Sequence, residues 1–362
     1  MRMTKYAFSW LATGSIITAS LLCSSCEELF IEGKAESNAV ENFEELWRTV
    51  DENYSFFTSK NIDWDSAYQA NRPKITDGMP RDSLFMIMAD MLFALRDGHV
   101  NLFAGFDLSR NWEWYLDYPQ NFDFSLIERN YLGDSYQISG PFYNSLIDSI
   151  GYIYYESFED DFSESVLDYL ITQYSSRIEN NKDTVFVKGL IIDVRNNGGG
   201  SLSNARTMVS RFAEEKTLVH YWQYKDGPGH DDFTDRIPKY IEPGGEFQYQ
   251  GPVVILTNRS CFSATNFFVQ MMKEVMPRGR LRVVGDQTGG GGGLPLNREL
   301  SNGWIYRFSS TVTTTPAGEN IEFGIKPDVE VDMDPDDLAE GKDTILETAL
   351  QIIKNAYEQN GG

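Results

Sequence analysis

The stretch Leu190-Ile191-Ile192-Asp193-Val194-Arg195-Asn196-Asn197-Gly198-Gly199-Gly200 joins an apolar run to a turn of three glycines. The run extends back to Val185 and is typical of a strand that is buried on both faces of a parallel sheet. Consecutive glycines let a backbone approach a ligand closely, and the first N–H groups of a following helix can bind an anion. A tight strand-to-helix turn without any ligand fits the motif too. A phosphate loop is disfavoured, because no Gly-Lys-Ser/Thr follows.

The segments around this stretch repeat the same alternation of apolar runs and helical patterns. The sequence predicts strands at 150–155, 185–194, 253–257 and 281–284, and helices at about 162–180, directly after Gly200, and at about 264–275. This order predicts an α/β fold class. Residues 222–247 are charged and rich in Gly, Pro and aromatics, which predicts a long surface loop or lid.

The part of the chain before this α/β core has a different pattern. Residues 38–100 predict a small N-terminal helical domain. One helix carries Phe43, Leu46, Trp47, Val50 and Tyr54 on one face, and another runs from about 82 to 96. Residues 101–148 predict an irregular, aromatic-rich connecting segment, and residues 149–357 the α/β domain.

Composition and charge restrict the class of protein. The 362 residues are 41% hydrophobic, which suffices for a large core and excludes collagen-like or low-complexity disorder. The length predicts two domains, or one large domain with an appendage. A formal charge of −23 argues against non-specific binding to nucleic acid or anionic lipid, because the long-range field repels phosphates.

The N-terminus predicts a secretory signal that ends at a cysteine. Arg2 and Lys5 precede an uncharged apolar run over 7–22, and small residues then lead to Cys26. This ending resembles a lipobox, which implies a signal peptide at 1–25, acylation of Cys26, and a polar tether at 26–37. The alternative is an ordinary cleaved signal with an incidental cysteine. The lipobox interpretation predicts a cell-envelope lipoprotein of the outer membrane, on its periplasmic or surface face.

Loss of the predicted signal changes the charge and the cysteine content. Residues 1–25 carry two basic and no acidic residues, so −23 becomes −25 without them. Because they also carry Cys23, a lipidated Cys26 leaves Cys261 alone. No intramolecular disulfide is then expected, and stability must come from the core.

A second candidate site is Arg259-Ser260-Cys261-Phe262-Ser263-Ala264-Thr265-Asn266, which again joins a strand to a helix. A serine at such a corner exposes its hydroxyl, and the N–H of the next residue can stabilise an oxyanion. Two alternatives involve no catalysis: a serine N-cap for the helix, or a small residue required for packing.

Histidine is scarce, so any histidine base must be His99, His220 or His230. His99 ends a strongly patterned helix, and Gly98 before it frees the backbone to aim the ring. A lone histidine is also commonly structural. His220 and His230 lie in or beside the predicted loop and are expected to be solvated. Without a His/Cys/carboxylate cluster at ligand spacing, we expect no metal and no other cofactor.

Two further elements complete the pattern. Five consecutive glycines, 289–293, predict a mobile or ligand-contacting loop, and residues 319–328 predict a turn followed by a terminal strand.

Taken in order, these elements resemble the C-terminal-processing and tricorn-like serine peptidases, a family that includes tail-specific proteases and has the interphotoreceptor retinoid-binding protein modules as relatives. The segments that carry the resemblance are 43–100 with its Leu95-Arg96-Asp97-Gly98-His99 end, 150–153 with Ser157-Phe158, 193–200, 260–265, and Gly324-Ile325-Lys326-Pro327-Asp328. The resemblance implies that residues 149–357 are a crotonase-like peptidase catalytic domain, a ClpP/crotonase-like spiral of ββα units behind the N-terminal helical domain.

The resemblance also implies roles for particular residues. Ser263 would be the nucleophile and His99 its base, with an acyl-enzyme intermediate. The oxyanion donors would be the N–H of Ala264 and one from the glycine turn, assigned to Gly199. Glu322 is the first choice for the carboxylate that orients the histidine; Glu319 is second and Asp97 third.

The departures from the family pattern also carry information. Glycine stands near position 291, where Ser–Lys members have lysine, and Lys273 lies ten residues beyond Ser263, so a Ser–Lys dyad is disfavoured. Gly98 replaces the serine that often precedes the histidine, and Asn266 replaces an acidic residue. Residues 101–148 lack a recognisable PDZ domain.

Three functions remain open from the sequence. The favoured one is a serine endopeptidase that hydrolyses extracytoplasmic proteins or peptides. A catalytically silent relative that binds a hydrophobic small molecule is the first alternative, since fold does not fix function. The second is a crotonase-type acyl-CoA enzyme, which the export signal and the lack of a basic patch disfavour.

Overall fold

The computed structural model describes residues 38–175, 178–180 and 183–359. The predictions for the signal peptide, Cys26 and the tether concern residues 1–37 and lie outside this range. Within the described residues, no helix is both long and apolar enough to cross a membrane.

The helices are α1 (Ala39–Asn53), α2 (Phe57–Lys60), α3 (Trp64–Asn71), α4 (Arg81–Phe93), α5 (Phe124–Ile127), α6 (Glu164–Ser175), α7 (Leu202–Ser210), α8 (Ala264–Val275), α9 (Pro335–Ala339) and α10 (Thr344–Gln359). The strands are β1 (Asn101–Ala104), β2 (Asp107–Leu108), β3 (Gln137–Ser139), β4 (Phe142–Ile147), β5 (Ile150–Tyr155), β6 (Ile178–Asn180), β7 (Asp183–Val185), β8 (Leu190–Asp193), β9 (Thr217–Tyr224), β10 (Ile237–Ile241), β11 (Val253–Thr257), β12 (Leu281–Gly285), β13 (Pro295–Glu299), β14 (Ile305–Ser309), β15 (Thr311–Thr314) and β16 (Val329–Glu330).

A seven-stranded sheet of order β16-β12-β11-β8-β5-β4-β3 forms the centre of the fold. Its strands run parallel from β16 to β5, and β4 and β3 add antiparallel pairs at one edge. Successive residues of β8 and β11 point to opposite faces, and both faces are covered. Ile192 and Ile255 pack in the core with α6, α7 and α8, whereas Ile191 and Val254 pack in the core with α10. This arrangement confirms the predicted α/β fold class.

The helical region before the sheet has its own core, to which a later segment contributes. Phe43, Leu46 and Met88 of α1 and α4 pack with Trp304 and Phe308 near and on β14. β14 pairs with β1 and β13 in a four-stranded sheet of order β13-β14-β1-β2. The core of residues 38–102 is therefore completed by a segment that lies some 200 residues later in the chain. This shared core fixes the position of the helical region relative to the central sheet.

Local sequence explains where key helices begin. Asn38 caps α1 by accepting a 2.7 Å hydrogen bond from the Glu41 N–H, and Ser201 caps α7 by accepting from the Asn204 N–H. The helix predicted at 264–275 has these bounds, and the predicted stripe of α1 is buried at Phe43, Leu46 and Val50.

Several predicted elements differ from the structure. Residues 222–247 are not simply a loop, because β9 and β10 pair as an antiparallel hairpin over 217–241 that joins β15 in a three-stranded sheet. The strand predicted at 185–194 is limited to 190–193. The helix predicted at 162–180 is limited to 164–175, since the chain turns into the short β6–β7 pair.

Candidate active site

The predicted nucleophile lies at a strained corner between β11 and α8. Ser263 has φ 54° and ψ −121°, a backbone conformation that residues with a Cβ rarely adopt. It precedes the first residue of α8, yet its side chain makes no capping hydrogen bond. The N-cap alternative does not describe this serine. Instead, its N–H donates to the Gly290 carbonyl at 2.9 Å, which ties the corner to the glycine-rich loop.

The structure brings Ser263 and His99 together from positions 164 residues apart. His99 Nε2 lies 2.9 Å from Ser263 Oγ, within hydrogen-bonding distance. The ring is buried and packs against Phe262, with ring centroids 4.6 Å apart. Arg307 of β14 holds the backbone of the histidine, because its Nε donates to the His99 carbonyl at 2.9 Å.

A buried carboxylate lies beside the histidine, and it is Asp97. Its Oδ1 accepts the His99 backbone N–H at 2.8 Å and is 4.0 Å from His99 Nδ1. The Tyr54 hydroxyl donates to Oδ2 at 2.9 Å. Among the described residues Nδ1 has no hydrogen-bond partner, so Asp97 acts on the ring by charge rather than through a hydrogen bond.

The first choice for the orienting carboxylate, Glu322, is held elsewhere. One oxygen is 2.6 Å from Lys60 Nζ, and the other accepts the Gly292 N–H at 2.8 Å. Lys60 in turn lies 3.5 Å from Asp97. Glu319, the second choice, is exposed on the turn after β15. The structure thus brings the third choice, Asp97, to His99, while Glu322 joins the site through Lys60.

Burial and mutual charge set the protonation of this cluster. Burial lowers the pKa of His99 to about 4, against the attraction of Asp97 for the protonated ring, so the imidazole is neutral at pH 7. Burial also raises the pKa of Glu322 to about 7, with Asp97 adding to this and Lys60 opposing it. Burial alone would raise the pKa of Asp97, but Lys60, His99 and Tyr54 outweigh it and lower the pKa.

The predicted oxyanion donors have different environments. The Ala264 N–H is in the first turn of α8, where no intrahelical acceptor exists, and no hydrogen bond to it is seen among the described residues. The Gly199 N–H, in contrast, donates to Asn197 Oδ1 at 3.0 Å. Gly199 instead provides space: with φ 105°, a Cβ there would overlap the Phe262 carbonyl and Ser263.

Two asparagines that the sequence did not single out as site residues hold the corner in place. Asn197 Oδ1 accepts from Thr265 Oγ1 at 2.6 Å as well as from Gly199, and its Nδ2 donates to the Tyr155 carbonyl at 2.9 Å. Asn266 donates to the Ile321 carbonyl and accepts from Thr288. A carboxylate at position 266 could accept from Thr288 but could not donate to the Ile321 carbonyl, so the amide of asparagine suits both contacts.

Aromatic side chains border the dyad and separate two cavities. The Trp114 ring packs on Phe262, with centroids 4.5 Å apart, and its Nε1 donates to the Arg259 carbonyl at 2.9 Å. It occupies the space that a side chain at Gly98 would take, which explains why glycine stands there. Trp114 and Phe262 line both a cavity of about 390 Å³, shared with Lys60, and one of about 800 Å³.

The remaining candidates lie away from this centre. His220 is fully buried in β9, where Nδ1 contacts Gln270 Oε1 at 3.1 Å, so its predicted solvation is wrong. His230 pairs with Asp51 of α1 at 2.8 Å. Lys273 pairs with Asp328 at 2.9 Å, in agreement with the expectation that it points away from Ser263.

Comparisons with known proteins identify the family of the chain. The sequence profile of peptidase family S41 matches residues 149–331, and that of the tricorn protease C1 domain matches 36–93. The crystal structure of a candidate peptidase from Parabacteroides merdae ATCC 43184 is 43% identical, with a TM-score of 0.80 over 88% of this chain and 97% of that one.

More distant relatives agree in fold or in part of the chain. Mature CPAF, solved in complex with lactacystin, has a TM-score of 0.63 at 13% identity, over 88% of this chain and 99% of that one. The "Probable CtpA-like serine protease" of Staphylococcus aureus (strain bovine RF122 / ET3-1) is 26% identical over 185 residues, 51% of this chain. The matched region spans only 33% of that relative. The S41 profile covers half of the chain, and the near-complete structural match agrees with it: the chain belongs to peptidase family S41.

Proposed function

We propose that this protein is a serine endopeptidase that uses a Ser–His mechanism. The observation that carries the proposal is the 2.9 Å contact between His99 Nε2 and Ser263 Oγ at a strained strand-to-helix corner. A serine hydroxyl is a weak nucleophile by itself, and an adjacent neutral imidazole activates it by accepting its proton.

In the proposed reaction, Ser263 Oγ bonds to the carbonyl carbon of the scissile peptide while its proton passes to His99 Nε2. Collapse of the tetrahedral intermediate breaks the C–N bond, and Nε2 returns the proton to the leaving amine. Water then attacks the acyl-enzyme and gives its proton to the same nitrogen. Release of the acid and transfer of that proton to Oγ restore the enzyme.

The negative oxygen of the intermediate would be bound by backbone donors. The Ala264 N–H is one of them, because the start of α8 leaves it unpaired. The second donor is assigned to Gly198 in place of Gly199, whose N–H is committed to Asn197. Gly198 lines the larger cavity, and no hydrogen bond to its N–H is seen in the described part of the chain.

Asp97, rather than Glu322, would stabilise the imidazolium that forms during the reaction. It is the carboxylate next to the ring, at 4.0 Å, and it is fully buried, where charge interactions are strong. The walls of the smaller cavity add a preference: the aromatic rings of Trp112, Trp114 and Tyr118 favour apolar or aromatic side chains of an extended peptide.

The test is mass spectrometry after exposure to a fluorophosphonate, which phosphonylates activated serines. A chain beginning at residue 27 is compared with its Ser263→Ala and His99→Ala variants. We expect one adduct on Ser263 that is lost in both variants. An adduct that survives His99→Ala would contradict the assigned base. No adduct on a folded chain would contradict the peptidase and favour the silent, hydrophobic-ligand-binding relative.

We also propose that the protein acts outside the cytoplasm, attached to the cell envelope by lipid on Cys26. The support is the charged, apolar and small-residue pattern of residues 1–26. Each buried acyl CH₂ contributes about 0.8 kcal/mol to membrane binding. The full-length chain, expressed in a Gram-negative host, should partition into detergent and Cys26→Ala should not. Equal partitioning of the two would contradict lipidation.

A further inference from the structure

Lys60 is a buried cation that the proposed mechanism leaves without a role. It ends α2, and its side chain is only 9% exposed. Its Nζ lies 2.6 Å from Glu322 and 3.5 Å from Asp97, and it donates to the Arg96 carbonyl at 3.1 Å. One ammonium group therefore bridges the carboxylate beside His99 to the one that binds the glycine-rich loop.

We propose that Lys60 is a positioning residue that bridges Asp97 and Glu322 beside the dyad, offsets their negative charge, and so sets the pH range in which His99 acts as a base. This inference rests on the proposed function, because it assigns Lys60 a role in the same reaction. Lys60 lines the smaller cavity, but in the described part of the chain its ammonium pairs with Asp97 and Glu322 and not with Ser263 or His99, so it acts on the dyad through the two carboxylates.

The charges around the site explain why a cation is required. Two carboxylates that share a desolvated site cannot both stay ionised, because each disfavours the charge of the other. With Lys60 protonated, the charge of Asp97 is offset, while the raised pKa of Glu322 keeps that group largely protonated below about pH 7. Without the cation, the Asp97 charge would act unopposed on the ring and would stabilise an imidazolium at His99.

The other groups that face the cluster do not replace Lys60. Arg307 approaches His99 from β14, but its Nε is bound to the His99 carbonyl. The Tyr54 hydroxyl donates to Asp97, and no charge accompanies it. Arg96 contributes its carbonyl to Lys60, while its guanidinium donates to the Lys60 carbonyl. Lys60 is thus the cation that contacts both carboxylates among the described residues.

The position of Lys60 also links separate parts of the chain. Lys60 and Asp97 belong to the N-terminal helical region, whereas Glu322 belongs to the turn before β16 and holds Gly292 of the glycine-rich loop. That loop in turn accepts the Ser263 N–H through the Gly290 carbonyl. The ion pair therefore joins the element that supplies the base to the loop that supports the nucleophile.

The first experiment measures the rate constant for fluorophosphonate labelling of Ser263 as a function of pH in Lys60→Met. Lys60 lowers the pKa of both His99 and Glu322. Its removal should therefore move the midpoint of the acid limb of the labelling profile to higher pH, because a nearby positive charge disfavours protonation of the ring. Lys216→Met is the matched control, because Lys216 pairs with Glu242 on the surface; its profile should equal that of the wild type.

An unchanged midpoint in Lys60→Met would overturn the proposal, even if the rate fell equally at every pH, since that result indicates only a structural role. A second pair of variants covers the case in which Lys60→Met does not fold. Glu322→Gln is compared with Lys60→Met/Glu322→Gln, in which both partners of the ion pair are neutral. The double variant should have the higher midpoint, and equal midpoints would overturn the proposal.

The same data separate this proposal from the proposed function. If the wild type takes no label, or if labelling is independent of His99, the Ser–His mechanism itself fails. If labelling requires Ser263 and His99 but the midpoint of the pH profile is the same with and without Lys60, only the proposed role of Lys60 fails.

Discussion

At the scale of single residues, the backbone of Ser263 is strained where the chemistry is proposed. Its φ of 54° and ψ of −121° suit glycine, and residues with a Cβ adopt such angles at a cost of about 1–3 kcal/mol. The surrounding contacts hold the conformation: the N–H binds Gly290, and the next turn is tied to Asn197 through Thr265. The strain keeps the hydroxyl out of the capping position and directed to His99.

This strain predicts a difference between two inactive variants. Ser263→Ala and Ser263→Gly both lack the hydroxyl, but only glycine relieves the backbone. After the larger entropy of glycine in the unfolded chain is subtracted, Ser263→Gly should have a free energy of unfolding about 1 kcal/mol above that of Ser263→Ala. Urea denaturation of the two variants measures this difference. Equal stabilities would mean that the corner is not strained.

At the scale of elements, the site is built from connections at the carboxyl ends of neighbouring parallel strands. The turn after β8 carries Asn197 and Gly199, the corner after β11 carries Ser263, and the loop after β12 carries Gly290. Periodicity and glycine punctuation predict β5, β11 and α8 with the bounds observed, because the two strands are apolar runs and α8 has a helical apolar period. Because these elements are regular, local sequence alone predicts that Ser263 and the glycines of the site lie in connections that follow strands.

The carboxylates show what local sequence cannot predict. The place of Glu322 before Gly324 favours it as the orienting carboxylate, but pairing depends on which groups the fold brings within a few ångströms. Lys60 reaches Glu322 from 262 positions away, through a helix of four residues that has no clear period. The sequence does not predict the β9–β10 hairpin, for a related reason. Its polar, aromatic strands pair with each other and with β15, and this partnership leaves no signal in the segment itself.

At the scale of the whole molecule, the free energy of unfolding depends on pH through buried titratable side chains in separate regions of the chain. Burial lowers the pKa of His220 to about 4, as it does for His99. Between pH 6.5 and 4 the unfolded chain then binds protons that the folded chain excludes, so the free energy of unfolding falls as pH falls. Glu322 acts in the opposite direction, because its raised pKa lets the folded state bind a proton first, from about pH 7 downward.

His220 allows this balance to be tested without altering the proposed dyad. It lies in β9 beside Trp222, and Nε2 has no partner among the described residues, so a charged ring would be poorly accommodated. In His220→Gln, the loss of stability between pH 7 and pH 4 should be smaller by about 3 kcal/mol, the value of a 2.5-unit difference in pKa. Urea denaturation at a series of pH values gives the slope. Val219→Ala, a buried and non-titrating neighbour, is the control, because it lowers stability through packing at every pH and should keep the slope of the wild type. If His220→Gln also kept the wild-type slope, the acid sensitivity would have to arise from other groups, and burial of neutral His220 would not contribute to it.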